Sequence, residues 1–316
     1  MRVIFMGTPD FASYQLECII NAGYNVEAVL TQLDKAKGRS GKLTFSPVKE
    51  VAVSNDIRVI QPEKLRGSEA IEEIKKINPD VIVVAAYGQI LPKEVLDTPK
   101  YGCVNIHASL LPKYRGASPI QASIIDGEEV TGVTTMYMGE GLDTGDIIEQ
   151  LEVKIEADDT GGSLFDKLAK AGGELIISTL KKLEDGTATR TPQDDSLSSY
   201  AHIISKEQGH IDWTKDAYSI ERLIRGFNPW PSAYTELDGK NLKLYKAEVI
   251  DDIASYEGAS EVNVGEIAFV DKKSFVVKTG SGYLKVLELQ LAGKKRMECD
   301  AFLRGHKLET GTKFGE

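Results

Sequence analysis

Residues 102–145 read GCVNIHASLLPKYRGASPIQASIIDGEEVTGVTTMYMGEGLDTG and combine two strand patterns with polar side chains suited to catalysis. Val104–His107 predicts a β-strand that runs into a turn, so Asn105 and His107 should project from the same side. Residues 133–138 predict another strand, which ends in a glycine-framed loop that carries Asp143. An amide, an imidazole and a carboxylate at strand ends suit the transfer of an acyl-type group, because they can stabilise an oxyanion and move a proton.

The segments before this stretch predict a parallel α/β sheet. An apolar run at 2–6, a turn at Gly7, a helix and an apolar run at 26–31 follow one another, which is the order of a βαβ unit. Residues 80–86 contain an uninterrupted apolar run, which is typical of a central strand buried on both faces. Ligands of such sheets bind beyond the carboxyl ends of the strands, where Tyr87 and the next residues lie. A lone glycine at the first turn does not make a dinucleotide-binding fingerprint.

A basic segment at 32–47 has few apolar residues and no periodicity. Its basic and glycine residues are Lys35, Lys37, Gly38, Arg39, Gly41 and Lys42. One interpretation is a solvated flexible connection, which we favour when no other observation is considered. The other is a mobile loop that grips a phosphate backbone or closes over a substrate. The length of the segment within a compact domain makes a functional loop more plausible.

Helical periodicity recurs along the first two thirds of the chain, at 47–54, 70–77, 160–183 and 216–227. Residues 186–200 are rich in Thr, Asp and Ser, which predicts a linker. Short strand-like runs separated by turn residues then predict a small β-barrel. These runs are Ala233–Leu237, Leu242–Val249, Gly265–Phe269, Ser274–Lys278 and Leu284–Leu291.

We therefore expect a domain at 1–189, a linker at 190–207 and a second domain at 208–316. The predicted fold class is α/β, with a Rossmann-like parallel-sheet domain followed by a small barrel domain. Lys294, Lys295 and Arg296 should lie in a loop beyond the last strand.

Composition indicates a soluble cytoplasmic protein. The chain has 316 residues, 41% hydrophobic and 27% charged, and we find no apolar run of the length that a membrane span or a signal peptide needs. Its three cysteines are odd in number and far apart, which argues against a disulfide framework and a zinc cluster. The net charge of −10 disfavours bulk attraction to nucleic acid, although a local basic patch remains compatible with it.

The central stretch resembles the folate-dependent formyltransferases through Asn105-Ile106-His107, Ser109-Leu110-Leu111-Pro112 and Leu142-Asp143-Thr144-Gly145. Further motifs along the whole chain are similar to those of the methionyl-tRNA formyltransferase family. They are Gly7–Ala12, Phe45–Lys49, Ile211–Trp213, Phe227–Pro231 and Ala292–Lys295. The joint pattern is far more specific than any of its parts.

The resemblance implies a formyltransferase domain, an OB-like barrel that helps to hold tRNA, and 10-formyltetrahydrofolate as co-substrate, with no metal expected. The acceptor would be the methionine α-amino group of initiator methionyl-tRNA. The implied catalytic residues are Asn105, His107 and Asp143. The implied folate-binding residues are Tyr87, Gly88, Gln89, Ile90, Leu91, Ser109, Leu110, Leu111 and Pro112. The implied tRNA contacts are Lys35, Lys37, Arg39, Lys42, Lys294, Lys295 and Arg296.

Two rival functions stay open at this point. A formyltransferase that acts on a nucleotide-linked amino sugar would share the catalytic trio and a C-terminal barrel. A nucleic-acid-binding protein without catalysis would use the α/β domain as a scaffold only. The basic segment and the C-terminal motifs favour the tRNA enzyme over the first rival. The overall acidity and the complete trio disfavour the second, and no membrane or obligate protein partner is evident.

Overall fold

The computed structural model describes residues 1–37 and 42–315, and the chain groups into two units. The first unit consists of Met1–Pro119, Val130–Lys154 and Phe165–Ala201. The second consists of Ile120–Glu129, Ile155–Leu164 and His202–Glu316. The first unit therefore extends to Ala201, so that residues 190–201 of the predicted linker are packed in it.

The elements of the described residues follow the predicted order closely. Up to residue 201 they are β1 (Arg2–Gly7), α1 (Asp10–Asn21), β2 (Asn25–Leu30), β3 (Lys35–Lys37), β4 (Lys42–Thr44), α2 (Pro47–Ser54), β5 (Arg58–Ile60), α3 (Ala70–Ile77), β6 (Val81–Ala85), α4 (Lys93–Leu96), β7 (Cys103–His107), β8 (Arg115–Gly116), α5 (Pro119–Ile125), β9 (Val130–Tyr137), β10 (Ile147–Lys154), α6 (Gly161–Glu184) and β11 (Tyr200–Ala201). After it they are α7 (Ala217–Gly226), β12 (Ala233–Leu237), β13 (Lys240–Ile250), β14 (Ile267–Val270), β15 (Phe275–Lys278), β16 (Tyr283–Leu291), β17 (Met297–Glu298) and α8 (Cys299–Leu303).

The main sheet of the first unit has the strand order β10-β9-β7-β6-β1-β2-β5. The five strands from β7 to β5 are parallel, which confirms the predicted α/β class. One edge differs from a purely parallel sheet, because β9 runs antiparallel to β7 and β10 antiparallel to β9. All five residues of β6 are buried, as its unbroken apolar run predicts.

The carboxyl ends of the three central strands meet at one edge of this sheet. Gly7 at the end of β1 pairs with Ala85 at the end of β6, and Val84 pairs with Asn105 of β7. A Cβ atom on Gly7 would lie 2.6 Å from the Ala12 Cβ and 2.8 Å from the Ala85 carbonyl oxygen. The turn into α1 therefore requires glycine, and it leaves this edge open as the predicted ligand-binding position.

Helix α1 buries a slightly different face from the one expected. Leu16 and Ile19 are buried as predicted, but Ile20 is only half-buried. Gln15 takes the buried position, where its Nε2 donates to the Ala169 carbonyl of α6 at 3.0 Å. Apolar periodicity cannot anticipate a polar residue whose buried hydrogen bond depends on a distant helix.

The basic segment is not an aperiodic loop throughout. β3 and β4 pair antiparallel as a short hairpin, with Lys35 opposite Thr44. Lys49 on α2 anchors the base of the hairpin, because its Nζ lies 2.6 Å from an Asp34 carboxylate oxygen and 4.1 Å from the centre of the Phe45 ring. Arg39 lies outside the described residues.

The tract read as a linker makes specific contacts in the first unit. Thr191 forms an isolated antiparallel bridge with Ile147, and β11 pairs parallel with β8. A composition rich in Ser and Asp predicts turns but carries no information about such distant pairing.

The second unit is an antiparallel sheet of order β12-β13-β16-β15-β14, with β17 paired to β16. The C-terminal segment joins its two edge strands, because Ile267 of β14 donates to Thr312 at 2.9 Å and Gly315 donates to Glu236 of β12 at 3.0 Å. This closure agrees with the predicted barrel. Lys294–Arg296 connects β16 to β17, so it does not lie beyond the last strand as expected.

Among residues 1–37 and 42–315, none of the helices combines the length and the apolar character needed to cross a lipid bilayer.

Candidate active site

The predicted catalytic residues Asn105 and His107 occupy alternate positions of β7, as the strand pattern requires. Asn105 pairs in register with Met136 of β9, and His107 pairs with Thr134. The two side chains are 9% and 6% exposed, so bulk water has little access to them.

His107 is held in one tautomer by its own turn. Its Nε2 lies 2.8 Å from the Tyr114 carbonyl oxygen, which can only accept a hydrogen bond, so Nε2 carries a proton. The other ring nitrogen, Nδ1, lies 3.8 Å from the Asp143 Oδ2. In the neutral ring Nδ1 is therefore the nitrogen with the free lone pair, and it faces the Asp143 carboxylate.

Asp143 lies in the loop 139–145, where its backbone has a φ of 52°. Its Oδ2 accepts a hydrogen bond of 2.8 Å from the Gly116 N–H, and the side chain is 12% exposed. Gly145 allows the loop to close, because a Cβ atom there would lie 1.6 Å from the Tyr137 carbonyl oxygen. The carboxylate thus lies between β8 and the His107 ring.

The Asn105 amide keeps its hydrogen-bonding capacity free. Among the described residues no hydrogen-bond partner faces this side chain, although most of its surface is buried. A buried amide normally has a partner, so a free one at the carboxyl edge of the sheet is available to a ligand.

Cys103, two residues before Asn105 on β7, is not a nucleophile. Burial, with a smaller contribution from Asp97, raises the pKa of its thiol to about 12. The thiol therefore stays neutral near pH 7 and acts as a small apolar core residue.

Two residues that the sequence did not single out complete the surroundings of Asp143. Arg115 is 2% exposed, and its guanidinium donates to the Gln193 Oε1 from Nε at 3.1 Å and from Nη2 at 2.8 Å. Gln193 in turn donates from Nε2 to the carbonyls of Asp143 and Gly145, each at 2.8 Å. Burial lowers the pKa of Arg115, but its hydrogen bonds to Asp195 and Tyr200 outweigh that effect and raise the pKa above its ordinary value.

The signal that could have revealed these residues is weak. Arg115 lies within the motif stretch, but no local pattern indicates that its side chain is buried. Gln193 lies in the tract interpreted as a linker, 78 residues from its partner.

The segment Tyr87–Leu91 follows β6 directly, at the same edge of the sheet. Tyr87 and Leu91 are buried, whereas Ile90 is 80% exposed. Gln89 accepts from the Leu65 N–H at 2.7 Å and so fixes the neighbouring loop rather than pointing freely outward. Gly88 has a φ of 81°, which allows the sharp turn between the buried residues.

The segment Ser109–Pro112 is held against β9. Thr134 donates to the Ser109 carbonyl at 2.6 Å and accepts from the Leu111 N–H at 3.1 Å. Gln150 on β10 donates to the Leu111 carbonyl at 2.9 Å. The segment Ser109–Pro112 is therefore fixed beside His107 by contacts within the protein. Its remaining backbone groups are ordered before any ligand binds.

The predicted tRNA contacts fall in two places, and their surroundings differ. Lys35 is exposed on β3, and the backbone of Lys37 pairs with that of Lys42 in the hairpin register. In the second unit Lys294 and Lys295 are exposed.

Arg296 is already engaged. Its guanidinium pairs with both carboxylate oxygens of Glu288 and stacks 4.2 Å from the centre of the Tyr245 ring.

No cluster of three or more His, Cys, Asp or Glu side chains that could hold a metal occurs within 1–37 and 42–315.

Comparison with known proteins gives a consistent result over the whole chain. Residues 1–180 match the family model described as formyl transferase, and residues 203–307 match the model for the formyl transferase C-terminal domain. The methionyl-tRNA formyltransferase of Lachnospira eligens is 54% identical over 100% of both chains. The methionyl-tRNA formyltransferase of Clostridioides difficile is 49% identical, again over 100% of both.

Among solved structures, the N-formyltransferase from Helicobacter canadensis, in complex with folinic acid and dTDP-3-aminofucose, is similar in fold. It superposes with a TM-score of 0.66 at 20% identity, over 93% of this chain and 99% of its own.

Proposed function

The chain belongs to the methionyl-tRNA formyltransferase family, and on that premise we infer that it transfers a formyl group to the α-amino group of methionine on initiator methionyl-tRNA. We propose that the formyl donor is 10-formyltetrahydrofolate, that Asn105, His107 and Asp143 carry out the transfer, and that the protein works in the cytoplasm. The single observation that carries the site proposal is a free, largely buried amide beside a histidine–carboxylate pair at the carboxyl edge of the sheet.

The residues at this edge fit a formylated folate. The Asn105 amide has donors to spare for a carbonyl oxygen, and the segments Tyr87–Leu91 and Ser109–Pro112 flank it with buried apolar side chains and fixed backbone groups. Bound there, the folate would supply an activated formyl group on a nitrogen leaving group. Folate binding is a family property of the chain, and the contacts of individual residues with it are part of our proposal.

Each catalytic residue has a distinct task in the proposed transfer. When the methionine amine attacks the formyl carbon, Asn105 donates a hydrogen bond to the formyl oxygen, where negative charge develops. The amine loses a proton as its new C–N bond forms, and the leaving nitrogen gains one as the old C–N bond breaks. His107 can take the first proton on Nδ1 and return it, while Asp143 stabilises the positive ring during the exchange.

We also propose that exposed lysines of both units contact the tRNA. Lys294 and Lys295 can approach phosphates without first breaking an ion pair, because among the described residues neither has an acidic partner. Arg296 is better suited to support the β16–β17 connection, since Glu288 neutralises it. In the basic segment, Lys35, Lys37, Arg39 and Lys42 remain proposed contacts by their position in the sequence motif.

The test is direct. The purified protein is incubated with 10-formyltetrahydrofolate and, in parallel, with charged initiator methionyl-tRNA, charged elongator methionyl-tRNA and a dTDP-linked amino sugar. We expect fast formylation of the initiator tRNA alone. Formylation of the amino sugar alone would keep the proposed trio and replace the acceptor, and transfer to none of the three would contradict the function.

A further inference from the structure

The loop that carries Asp143 has little support of its own. Among the described residues, no backbone–backbone hydrogen bond involves 139–145, and residues Gly139–Leu142 are exposed. Asp143 nevertheless adopts a backbone conformation that non-glycine residues rarely adopt, with a φ of 52°. A conformation of this kind costs free energy, so something outside the loop must hold it.

Gln193 supplies that support. Its Nε2 has two hydrogens, and they reach the carbonyl oxygens on either side of Thr144, those of Asp143 and Gly145, each at 2.8 Å. Its Oε1 is fully used by Arg115, which donates two hydrogen bonds to it. The Gln193 amide therefore connects the buried Arg115 guanidinium to the loop 139–145. Each of its hydrogen-bonding groups is directed at one of these two partners.

Arg115 makes this arrangement rigid. Its guanidinium is nearly fully buried, and its Nη2 also lies 2.7 Å from the Asp195 carboxylate, which is 82% exposed. The backbone of the same segment touches the other catalytic groups, because the Tyr114 carbonyl accepts from His107 and the Gly116 N–H donates to Asp143. The segment 114–116 thus positions His107, Asp143 and Gln193.

We propose that Gln193, oriented by Arg115, is a positioning residue for formyl transfer that acts by fixing the Asp143 loop against His107. This inference rests on the proposed function of the Asp143 carboxylate. Gln193 itself need not touch either substrate, and its effect should appear in the chemical step rather than in binding. A misplacement of about 1 Å at a catalytic group can cost about 100-fold in rate.

The sharpest variant is Gln193→Glu. An ionised carboxylate still accepts from Arg115, so the buried guanidinium keeps a partner and the fold is preserved. It can no longer donate to the carbonyls of Asp143 and Gly145, and it repels them instead. We expect kcat to fall about 10- to 100-fold, with both KM values within about threefold of the wild type.

The matched control is Gln208→Glu, the same chemical change at an exposed glutamine of the second unit. Its Oε1 accepts from the Ser205 N–H, a role that a carboxylate keeps. We expect a wild-type kcat and melting temperature for this variant, which separates the effect of the position from the effect of the added charge.

A double-mutant cycle distinguishes positioning from general damage. If Gln193 acts through Asp143, then Gln193→Glu should add less than about threefold to the loss caused by Asp143→Asn, because the two residues act as a unit. A full, multiplicative loss in the Asp143→Asn background would overturn the proposal. A kcat of the single Gln193→Glu variant within twofold of the wild type would overturn it as well.

A readout that needs no catalysis keeps this inference separate from the proposed function. The Gly116 amide donates to the Asp143 carboxylate, so its hydrogen exchange reports whether the carboxylate is in place. We expect faster exchange at Gly116 in Gln193→Glu and wild-type exchange in Gln208→Glu. If the wild-type protein formylated no methionyl-tRNA, the proposed function would be wrong. If hydrogen exchange at Gly116 were the same in Gln193→Glu as in the wild type, only the positioning role would be contradicted.

Discussion

The proposed catalytic edge of the first unit, which carries Asn105, His107 and Asp143, and the Lys294–Lys295 turn of the second differ in how their side chains are held. His107 and Asp143 are at most 12% exposed and are bound to backbone groups by hydrogen bonds of 2.8 Å. The two lysines are exposed on a turn, and no ion pair to them occurs among the described residues. His107 and Asp143 in the first region are fixed by hydrogen bonds, and the lysines of the second present positive charge to solvent.

This difference follows from the range of the forces involved. Proton transfer and oxyanion stabilisation act over a single hydrogen bond, so displacement of about 1 Å is costly. Attraction to phosphate extends over a Debye length of about 8–10 Å at ordinary salt, so mobile ammonium groups serve well. We therefore expect substitutions at the catalytic edge to change kcat strongly and substitutions in the turn to change affinity modestly.

The largest effect should come from Asp143→Asn, which removes the charge beside His107 and keeps a side-chain oxygen for the Gly116 N–H. We expect kcat to fall by about 10²–10⁴-fold, the usual contribution of general acid–base catalysis. Single-turnover formylation of initiator methionyl-tRNA measures it, with the melting temperature as the check on folding. A loss below tenfold would mean that the carboxylate does not take part in proton transfer.

The next effect should come from Asn105→Ala, for which we expect a loss of about 10²–10³-fold in kcat. Because the amide has no protein partner among the described residues, its removal should change the melting temperature little. Asn105→Asp is the companion variant, since it keeps the shape and places a negative oxygen where the donor was. If Asn105→Asp proved as active as the wild type, the amide would not be the oxyanion donor.

The sequence predicted the strands of the proposed catalytic edge well because they rest on short-range patterns. Strand alternation placed Asn105 and His107 on one face, and the apolar run of β6 located the central strand. The bounds of α2, α3 and β12 agree with the predicted segments 47–54, 70–77 and 233–237. These are local features, in which period and turn residues determine the structure.

The missed features depend on pairing between distant residues. The Arg115–Gln193 contact spans 78 residues, and β11 joins β8 from a tract whose composition resembles a linker. Whether Arg296 is free or engaged depends on Glu288 and Tyr245, which no spacing rule connects to it. Hydrogen bonds of this kind leave no period in the sequence, so composition predicted a linker where the fold provides a hydrogen-bonded network.

A smaller effect is expected from the double substitution Lys294→Ala with Lys295→Ala. We expect roughly a 3- to 10-fold weaker affinity for tRNA at 0.1 M salt, an unchanged kcat, and a salt dependence reduced by about two in slope, because two phosphate contacts are lost. Filter binding at several salt concentrations measures the slope. Lys272→Ala with Lys273→Ala is the charge-matched control in another exposed turn of the same unit, and an equal loss in the control would mean that only net charge matters.

The smallest effect should come from Tyr87→Phe, which tests whether the buried part of the catalytic edge contributes more than packing. The Tyr87 hydroxyl is buried and has no hydrogen-bond partner within the part of the chain that the structure describes, and burial raises its pKa to about 12. The ring packs in the apolar core with Leu65 and Leu91. Removal of the hydroxyl should therefore change stability at pH 7 by roughly 1 kcal/mol or less and leave the KM for the folate unchanged.

The pH dependence of the free energy of unfolding should differ between this variant and the wild type in a defined direction. An unfolded tyrosine loses its proton near pH 10, whereas Tyr87 in the folded protein keeps it until about pH 12. Above pH 10 the unfolded chain therefore binds fewer protons than the folded one, so the wild type loses stability as the pH rises from about 10 to about 12. Tyr87→Phe should lose less over that range, as urea unfolding at a series of pH values would show. A several-fold rise in the KM for the folate would instead place the hydroxyl against the ligand and make the buried tyrosine part of the binding site.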